Sequence, residues 1–130
     1  MELKENCAIQ IVGTVFMYGT LVVTLIRDND GAFVEVESAP DGYPMQHSGE
    51  YPMASEQFEA MSGRILELLP KEDDGDMGYA DCFVRVGEID GEEVGYGDRI
   101  AIGSGTCREM CGIVSEVADD DVLRGFMGAN

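Results

Sequence analysis

The first third of the chain carries apolar residues in a pattern typical of β-strands. Residues 8–16 and 20–27 are rich in Val, Ile and Thr and apolar on both parities, which predicts two central strands with both faces at least partly covered. Residues 32–38 alternate between valine and glutamate, as a third strand would. Asp, Asn and Gly at 28–31 tolerate the backbone of a tight hairpin, so the opening predicts a three-stranded meander.

The most regular helical pattern follows a predicted loop. Residues 39–54 are rich in Pro, Gly and Tyr, include the triplet Tyr-Pro-Met twice, and are expected to form that loop. From 55 to 69 the apolar residues recur at helical spacing, which predicts an amphipathic helix with Ser55 as its N-cap and Pro70 as its end.

The second half predicts further strands and a short helix. Residues 79–86 resemble a strand, Asp90-Gly91 a hairpin turn, and residues 100–102 and 112–117 two more strands, before a C-terminal helix capped within 119–121. The expected fold is a single α+β domain of the order βββ-α-ββ(ββ)-α, spanning all 130 residues. In it, one main amphipathic helix packs on a curved antiparallel sheet.

The charge of the chain limits its partners more than any motif does. Eight Lys and Arg stand against 26 Asp and Glu, a formal charge of −18. Eight dispersed cations do not readily build the basic patch that direct binding to nucleic acid or an anionic membrane requires. The apolar fraction of 45% is that of a globular protein and too high for an acidic disordered tail.

An uncharged run near the start raises the question of a membrane span. Residues 6–26 contain no charge and would be long enough to cross a bilayer. Thr, Gln and Gly interrupt the run, however, and its β-branched residues favour strands over a helix. The first residues also lack the positive region of a signal peptide, so we expect no membrane contact and a cytoplasmic protein.

The four cysteines allow a metal site but do not favour one. Cys107 and Cys111 stand four residues apart, and Cys7 and Cys82 could complete a four-cysteine zinc site or form a disulfide with Cys107. One loose pair with two scattered partners is a weak signal, and isolated cysteines are usually small buried hydrophobic residues. We therefore expect no metal and no other cofactor.

Catalytic and ligand motifs receive little support. His47 is the only histidine, and no pattern places it beside a cysteine nucleophile. The acidic turns put glycine at the fourth position, where a calcium loop of the EF-hand type needs it at the sixth. Residues 103–106 are rich in glycine but are not predicted to open a helix with a phosphate cradle. We expect no enzyme activity.

The acidic residues fall into clusters that are the candidate binding residues for a basic partner. Such a domain is roughly 35 Å wide, and duplex DNA of that length carries about 20 phosphate charges. Mimicry of a duplex therefore needs about half of the acidic residues on one face. Tyrosines of the predicted loop could add anchoring contacts. The candidates are Asp28, Asp30, Glu35, Glu37, Glu72, Asp73, Asp74, Asp76, Glu88, Asp90, Glu92, Glu93, Asp119, Asp120, Asp121, Tyr43 and Tyr51.

These observations favour a non-catalytic inhibitor or interaction protein that docks on a basic nucleic-acid-binding protein, such as a nuclease or an effector complex. Phage anti-defence proteins, anti-CRISPR proteins among them, and immunity proteins of nuclease toxins share this size and acidity, an analogy of composition only. The alternatives are solubility alone, a small enzyme or ligand-binding module with a pocket between sheet and helix, and a self-assembling phage or cellular subunit.

Overall fold

A computed structural model describes residues 5–15, 19–39, 46–69, 81–91, 93–97 and 99–127. Within these ranges the chain forms strands β1 (Cys7–Val15), β2 (Gly19–Asp28), β3 (Gly31–Ala39), β4 (Gln46–Met53), β5 (Asp81–Asp90), β6 (Glu93–Tyr96) and β7 (Ile100–Ala101). The helices are α1 (Ser55–Glu67), α2 (Ser104–Val114) and α3 (Asp121–Met127).

All strand pairs are antiparallel, and they form one open sheet of order β4-β3-β2-β1-β5-β6. The short strand β7 also pairs with β5, through residues 83–84, while β6 pairs with residues 87–90. The two short strands therefore share the sixth position of the sheet. The predicted α+β class with an antiparallel sheet is confirmed.

The helices cover one face of this sheet. Alternate residues of the central strands point to that face because side chains along a strand change sides at every step. Phe58 and Ile65 of α1, Met110 of α2 and Leu123 of α3 are each fully buried in the same cluster. The strand residues of that core include Ile9, Ile11, Leu21, Val23, Leu25, Val34, Val36 and Val84.

Both predicted hairpin turns are present. Gly31 and Gly91 have φ values of 135° and 66°, a region that favours glycine, and they sit in the β2–β3 and β5–β6 turns. In the first turn the Asp28 carboxylate accepts a hydrogen bond from the Asp30 backbone N–H at 2.8 Å. These turns set the register of the two hairpins.

The loop predicted over residues 39–54 is wrong for its second half, which forms β4. Tyr51 and Met53 pack against the core on alternate positions, as a strand requires, while Pro52 is exposed. Proline is tolerated because β4 lies at the edge of the sheet, where its missing N–H breaks no ladder. His47 therefore belongs to a strand, and it pairs in register with Glu37.

The strand predicted over residues 112–117 is also wrong, because most of this segment belongs to the helix α2 and the turn after it. Gly103 is the N-cap of α2, so residues 103–106 do open a helix, contrary to the expectation from the sequence. The helical spacing was present in the sequence. The buried residues recur three or four apart: Cys107, Met110, Cys111 and Val114.

The predicted main helix is confirmed as α1, with one change at its start. The N-cap is Ala54 rather than Ser55, and the Gln57 side chain accepts a hydrogen bond from the Ala54 backbone N–H at 2.8 Å. This bond satisfies one backbone donor that would otherwise lack a partner at the helix start. The expected stop at Pro70 lies outside the described residues.

The uncharged run at 6–26 forms most of β1 and β2, as its β-branched composition predicted. Of the three helices described, none combines the length with the apolar composition that a bilayer crossing demands.

A buried carboxylate starts the predicted C-terminal helix. Asp120 is only 4% exposed, and its Oδ1 accepts hydrogen bonds from the backbone N–H groups of Val122 at 2.9 Å and Leu123 at 3.2 Å. Its Oδ2 accepts a hydrogen bond from the Tyr51 hydroxyl at 2.6 Å. Asp120 therefore caps α3 and joins that helix to the edge strand β4.

We expect Asp120→Ala to lower the free energy of unfolding by about 2–4 kcal/mol, because it removes a helix cap and leaves the Tyr51 hydroxyl without its acceptor. Tyr51→Phe should cost about 1–2 kcal/mol. Asp119→Ala, at a side chain that is 86% exposed, is the control and should change little. Denaturant unfolding measures all three, and equal stability of the Asp119 and Asp120 variants would contradict this role.

Candidate functional site

Half of the predicted cluster at residues 28–37 and the described part of the cluster at residues 88–93 lie at the same end of the sheet. Cys7, at the start of β1, pairs with Arg27 on one side and Glu88 on the other, so the β2–β3 and β5–β6 turns flank the beginning of β1. We call this region the acidic end. The candidate carboxylates described there are Asp28, Asp30, Glu88, Asp90 and Glu93, all of them exposed except Asp28, which is half-buried. Two further exposed carboxylates, Glu5 and Glu59, line a groove beside the β2–β3 turn.

Asn6 connects the two turns of the acidic end. Its backbone carbonyl accepts a hydrogen bond from the Ile89 N–H at 3.0 Å, and its side-chain amide donates to Asn29 Oδ1 at 3.3 Å. One residue thus contacts both the β2–β3 turn and the last residues of β5. This contact holds the two acidic turns in a fixed relation that no local pattern in the sequence indicates.

The arginine nearest to the acidic end is largely withdrawn from solvent. The Arg27 side chain is 14% exposed and pairs with Glu59 at 3.0 Å. It also donates to the Glu5 carbonyl oxygen at 2.9 Å, and its guanidinium lies 4.9 Å from the centre of the Phe58 ring. Beside it, a polar groove of about 540 Å³ opens between the β2–β3 turn and the start of α1. Arg27 therefore offsets little of the negative charge presented outward.

The charge density of the acidic end resembles that of one nucleic-acid strand. The two turns are centred three strand spacings apart, about 14 Å. One DNA strand carries one phosphate per about 3.4 Å, or about four over that distance. Five described carboxylates occupy it here. The acidic end is thus comparable with a single strand and does not reach the charge of a duplex.

The third described group of candidates lies elsewhere, in the middle of β3. Glu35 and Glu37 point away from the helices, and Glu35 pairs in register with Glu50 of β4. A hydrogen bond with Glu37, partial burial and the charges of Glu37 and Glu50 raise the pKa of Glu35 to about 7. A carboxyl group that holds its proton near neutral pH is unusual at a surface. Here it results from the crowding of three carboxyl groups on this part of the sheet.

The cluster at residues 119–121 lies in the helical layer. Asp119 and Asp121 are exposed, and both form ion pairs with Arg124. Asp120 is buried in its capping role, and Tyr51 is half-buried against it, with its pKa raised by their hydrogen bond and by burial. This cluster is thus partly neutralised.

Six of the candidates lie outside the described residues, so their relation to these surfaces is not part of the structure. They are Tyr43, Glu72, Asp73, Asp74, Asp76 and Glu92.

The cysteines are buried, as the simpler interpretation of the sequence expected. Hydrogen bonding with Cys111 and burial raise the pKa of Cys107 to about 12, although a hydrogen bond from Cys82 acts in the opposite direction. Burial also raises the pKa of Cys7. The thiols of Cys7 and Cys107 therefore stay protonated at neutral pH, which disfavours nucleophilic attack by either of them. No group of three metal-ligating side chains suited to an ion occurs in the described part of the chain.

Between the sheet and the helices lie the buried side chains of the described core, among them Phe58 and Met110. The grooves that the structure describes open at the surface. One lies at the acidic end, one of about 590 Å³ along the β3–β4 edge, and one of about 400 Å³ between α1 and α2.

A polar network on the face opposite the helices was missed by the sequence interpretation. Arg85 donates to Gln10 Oε1 from its Nε at 3.0 Å and also from Nη2, and its guanidinium lies 4.5 Å from the centre of the Tyr96 ring. Arg99 stacks on Phe83 at 4.6 Å. The sequence does place Phe83 and Arg85 on the same side of β5, because they are two residues apart. Only the pairing of β5 with β1 brings Gln10 beside Arg85 and forms the network.

No family model, no characterised protein and no solved structure matches this chain. Its function therefore has to be inferred from its own residues.

The buried thiols predict a clear chemical result. In the native protein we expect no cysteine to react with a thiol reagent such as DTNB at mildly alkaline pH, whereas all four should react in guanidinium. The absorbance of the released thiolate measures both. Rapid labelling of native Cys107 would contradict the burial and the raised pKa.

The Glu35–Glu37 contact predicts a titration near neutral pH. Because the folded state holds the Glu35 proton more tightly than the unfolded chain, this group should lower the free energy of unfolding as pH rises from about 4.5 to about 7. Glu37→Gln should move the pKa of Glu35 back toward 4.5, since it removes the carboxylate that hydrogen-bonds to Glu35 and its negative charge. Carboxyl-detected NMR measures the titration, and Glu88→Gln, on another part of the sheet, is the control. The titration is measured on dilute, monomeric protein, where a midpoint near 4.5 would contradict the raised pKa.

Proposed function

We propose that this chain is a non-catalytic interaction domain whose acidic end docks on a basic nucleic-acid-binding protein and competes there with nucleic acid. The observation that supports this function is the convergence of two acidic turns on one end of the sheet, which the contacts of Asn6 hold together. A basic groove that accepts a phosphate backbone has the charge and the dimensions to accept such a surface.

The charge of the whole chain assists the encounter. A net charge of −18 produces a field that attracts basic partners over a Debye length of about 8 Å at physiological salt and repels nucleic acid. The acidic end then provides the local contact. The exposed acids of the helical layer act mainly through this general field, because Arg124 and Arg64 already pair with three of them: Glu116, Asp119 and Asp121.

The shape of the acidic end narrows the class of target. Its five described carboxylates span about three strand spacings, about 14 Å, which is less than a duplex presents. The matching groove is one that binds a single strand or one edge of a duplex. Backbone turns held by hydrogen bonds also lose little conformational freedom on docking, which favours affinity.

The test compares two variants with the same change of net charge. The first neutralises the acidic end and combines Asp28→Asn, Asp30→Asn, Glu88→Gln, Asp90→Asn and Glu93→Gln. The second is the control, in the helical layer, and combines Glu67→Gln, Glu109→Gln, Glu116→Gln, Asp119→Asn and Asp121→Asn. At about 0.3–1 kcal/mol per exposed charge, the first should bind its target at least about tenfold more weakly.

The target is captured from a nuclease-treated lysate of the source cells with the tagged wild-type chain and identified by mass spectrometry. We expect a basic nucleic-acid-binding protein that added single-stranded or duplex DNA displaces, and that the control variant retains. Capture of no such protein, or equal loss with both variants, would contradict the proposal, because acidity in general would then be sufficient.

A further inference from the structure

The sheet has a second face that the described helices leave uncovered, since the helical residues of the core all pack against the first face. We call it the open face. Val22, Ile26, Phe33 and Phe83 keep partial exposure there, whereas Ala8, Val12 and Thr24 are buried. An apolar and aromatic sheet face of this kind is a candidate contact surface.

One row of residues crosses the open face and changes charge along the way. The register aligns Glu50 and Glu35 with Thr24 of β2, then with Gln10 of β1 and finally with Arg85 of β5. The carboxylates stand on one side of the row and the guanidinium on the other. Arg99, which stacks on Phe83, adds a second cation to the β5 side, and Glu37 adds a third acid to the β3 side.

The strand order makes this face complementary to itself. Six strand positions place the midpoint of the sheet between β1 and β2, so β3 and β5 are equally far from it. A twofold axis along the strands at that midpoint would set β3 of one copy over β5 of the other. Glu35 would then face Arg85 of the second copy within the same row.

We propose that two copies of this chain pack their open faces together about a twofold axis parallel to the strands, forming a four-layer dimer with the sheets at its centre. The relation is isologous, as in most soluble dimers: each contact occurs twice. Two sheets in this arrangement pack about 10 Å apart with their strands nearly aligned, as in a β-sandwich.

The neighbouring rows also match under this axis. Ile26 falls opposite Ala8 of the second copy, so a large side chain meets a small one, and Val22 falls opposite Val12. Glu37 falls opposite Phe83 and thus near Arg99, since Arg99 lies on that ring.

Charge selects this axis over the other twofold arrangement in the same plane. A twofold axis perpendicular to the strands would place each strand over the same strand of the second copy. Glu35 and Glu37 of one chain would then face Glu35 and Glu37 of the other. Like charges in an interface are strongly unfavourable, and Glu35 already shows the effect of its own acidic neighbours. The axis along the strands instead brings a cation to each acidic pair.

The available area is sufficient for a specific dimer. Six strand positions at about 4.8 Å and strands of about eight residues give a face of roughly 29 by 27 Å, or about 700–800 Å² per copy. Stable interfaces bury about 800 Å² per partner. Burial of the apolar rows provides the affinity, and the charged row sets the orientation of the two copies. At physiological salt, screening weakens the repulsion between the two acidic chains, and the interface contacts offset the rest.

The experiment measures molar mass by light scattering and sedimentation at about 0.15 M salt, where charges are screened beyond about 8 Å. The full wild-type chain should show twice the mass of one chain. Glu35→Arg and Arg85→Glu, made singly, should each weaken the dimer at least about tenfold. The double variant E35R/R85E should restore it, because each exchanged charge again faces its opposite. Arg108→Glu and Glu109→Arg, exposed on α2, are the control changes and should leave the dimer intact.

Circular dichroism shows whether each variant is folded. Should a charge reversal prevent folding, Glu35→Gln and Arg85→Gln remove one charge each at similar size and are expected to weaken the dimer in the same direction. A monomeric wild type overturns the proposal, as does a dimer that ignores both single reversals or that the double variant fails to restore. The proposal is independent of the acidic end, because mass is measured without a partner and lysate capture does not depend on it.

Discussion

The structure depends above all on the register of the four-stranded meander β1–β4 and on the pairing of β5 with β1. Side chains along a strand alternate between faces, so register decides which residues are buried beneath the helices and which are presented on the open face. With Gln10 opposite both Thr24 and Arg85, the apolar set Ile9, Ile11 and Val84 faces the core. A slip of one residue would exchange the two faces and bury Glu35 and Arg85.

Much of this arrangement could be predicted because its signals are local. The first three strands, the main helix, both glycine turns and the capping of α3 each follow from neighbours in the sequence. The predictions are wrong over residues 46–53, expected as a loop, and over residues 112–117, expected as a strand. Proline and glycine obscure the alternation of β4, whose edge position tolerates them. In α2 the buried cysteines and methionine have helical spacing, a pattern that the strand prediction for residues 112–117 did not use.

The functional surfaces could be predicted only in part, because they depend on distant residues. The sequence shows that both turns are rich in acidic residues. It does not show that they lie at the same end of the sheet, because this depends on the pairing of β5 with β1 and on the contacts of Asn6. The sequence left open whether the acidic clusters converge. Of the described candidates, residues 119–121 lie in the helical layer and Glu35 lies on the open face. The role of Arg85 likewise exists only after pairing.

The pairing of β1 with β5 also affects the order in which the chain is made and folded. Strands β1 to β4 follow one another as hairpins and close over short loops, whereas Gln10 meets Arg85 only after a long intervening chain has been synthesised. Closing that loop lowers the conformational entropy of the chain, and non-local pairing of this kind therefore slows folding. Until then β1 is an unpaired apolar edge strand. A nascent chain that ends before residue 81 would therefore be an aggregation-prone sheet and would not fold as a stable domain.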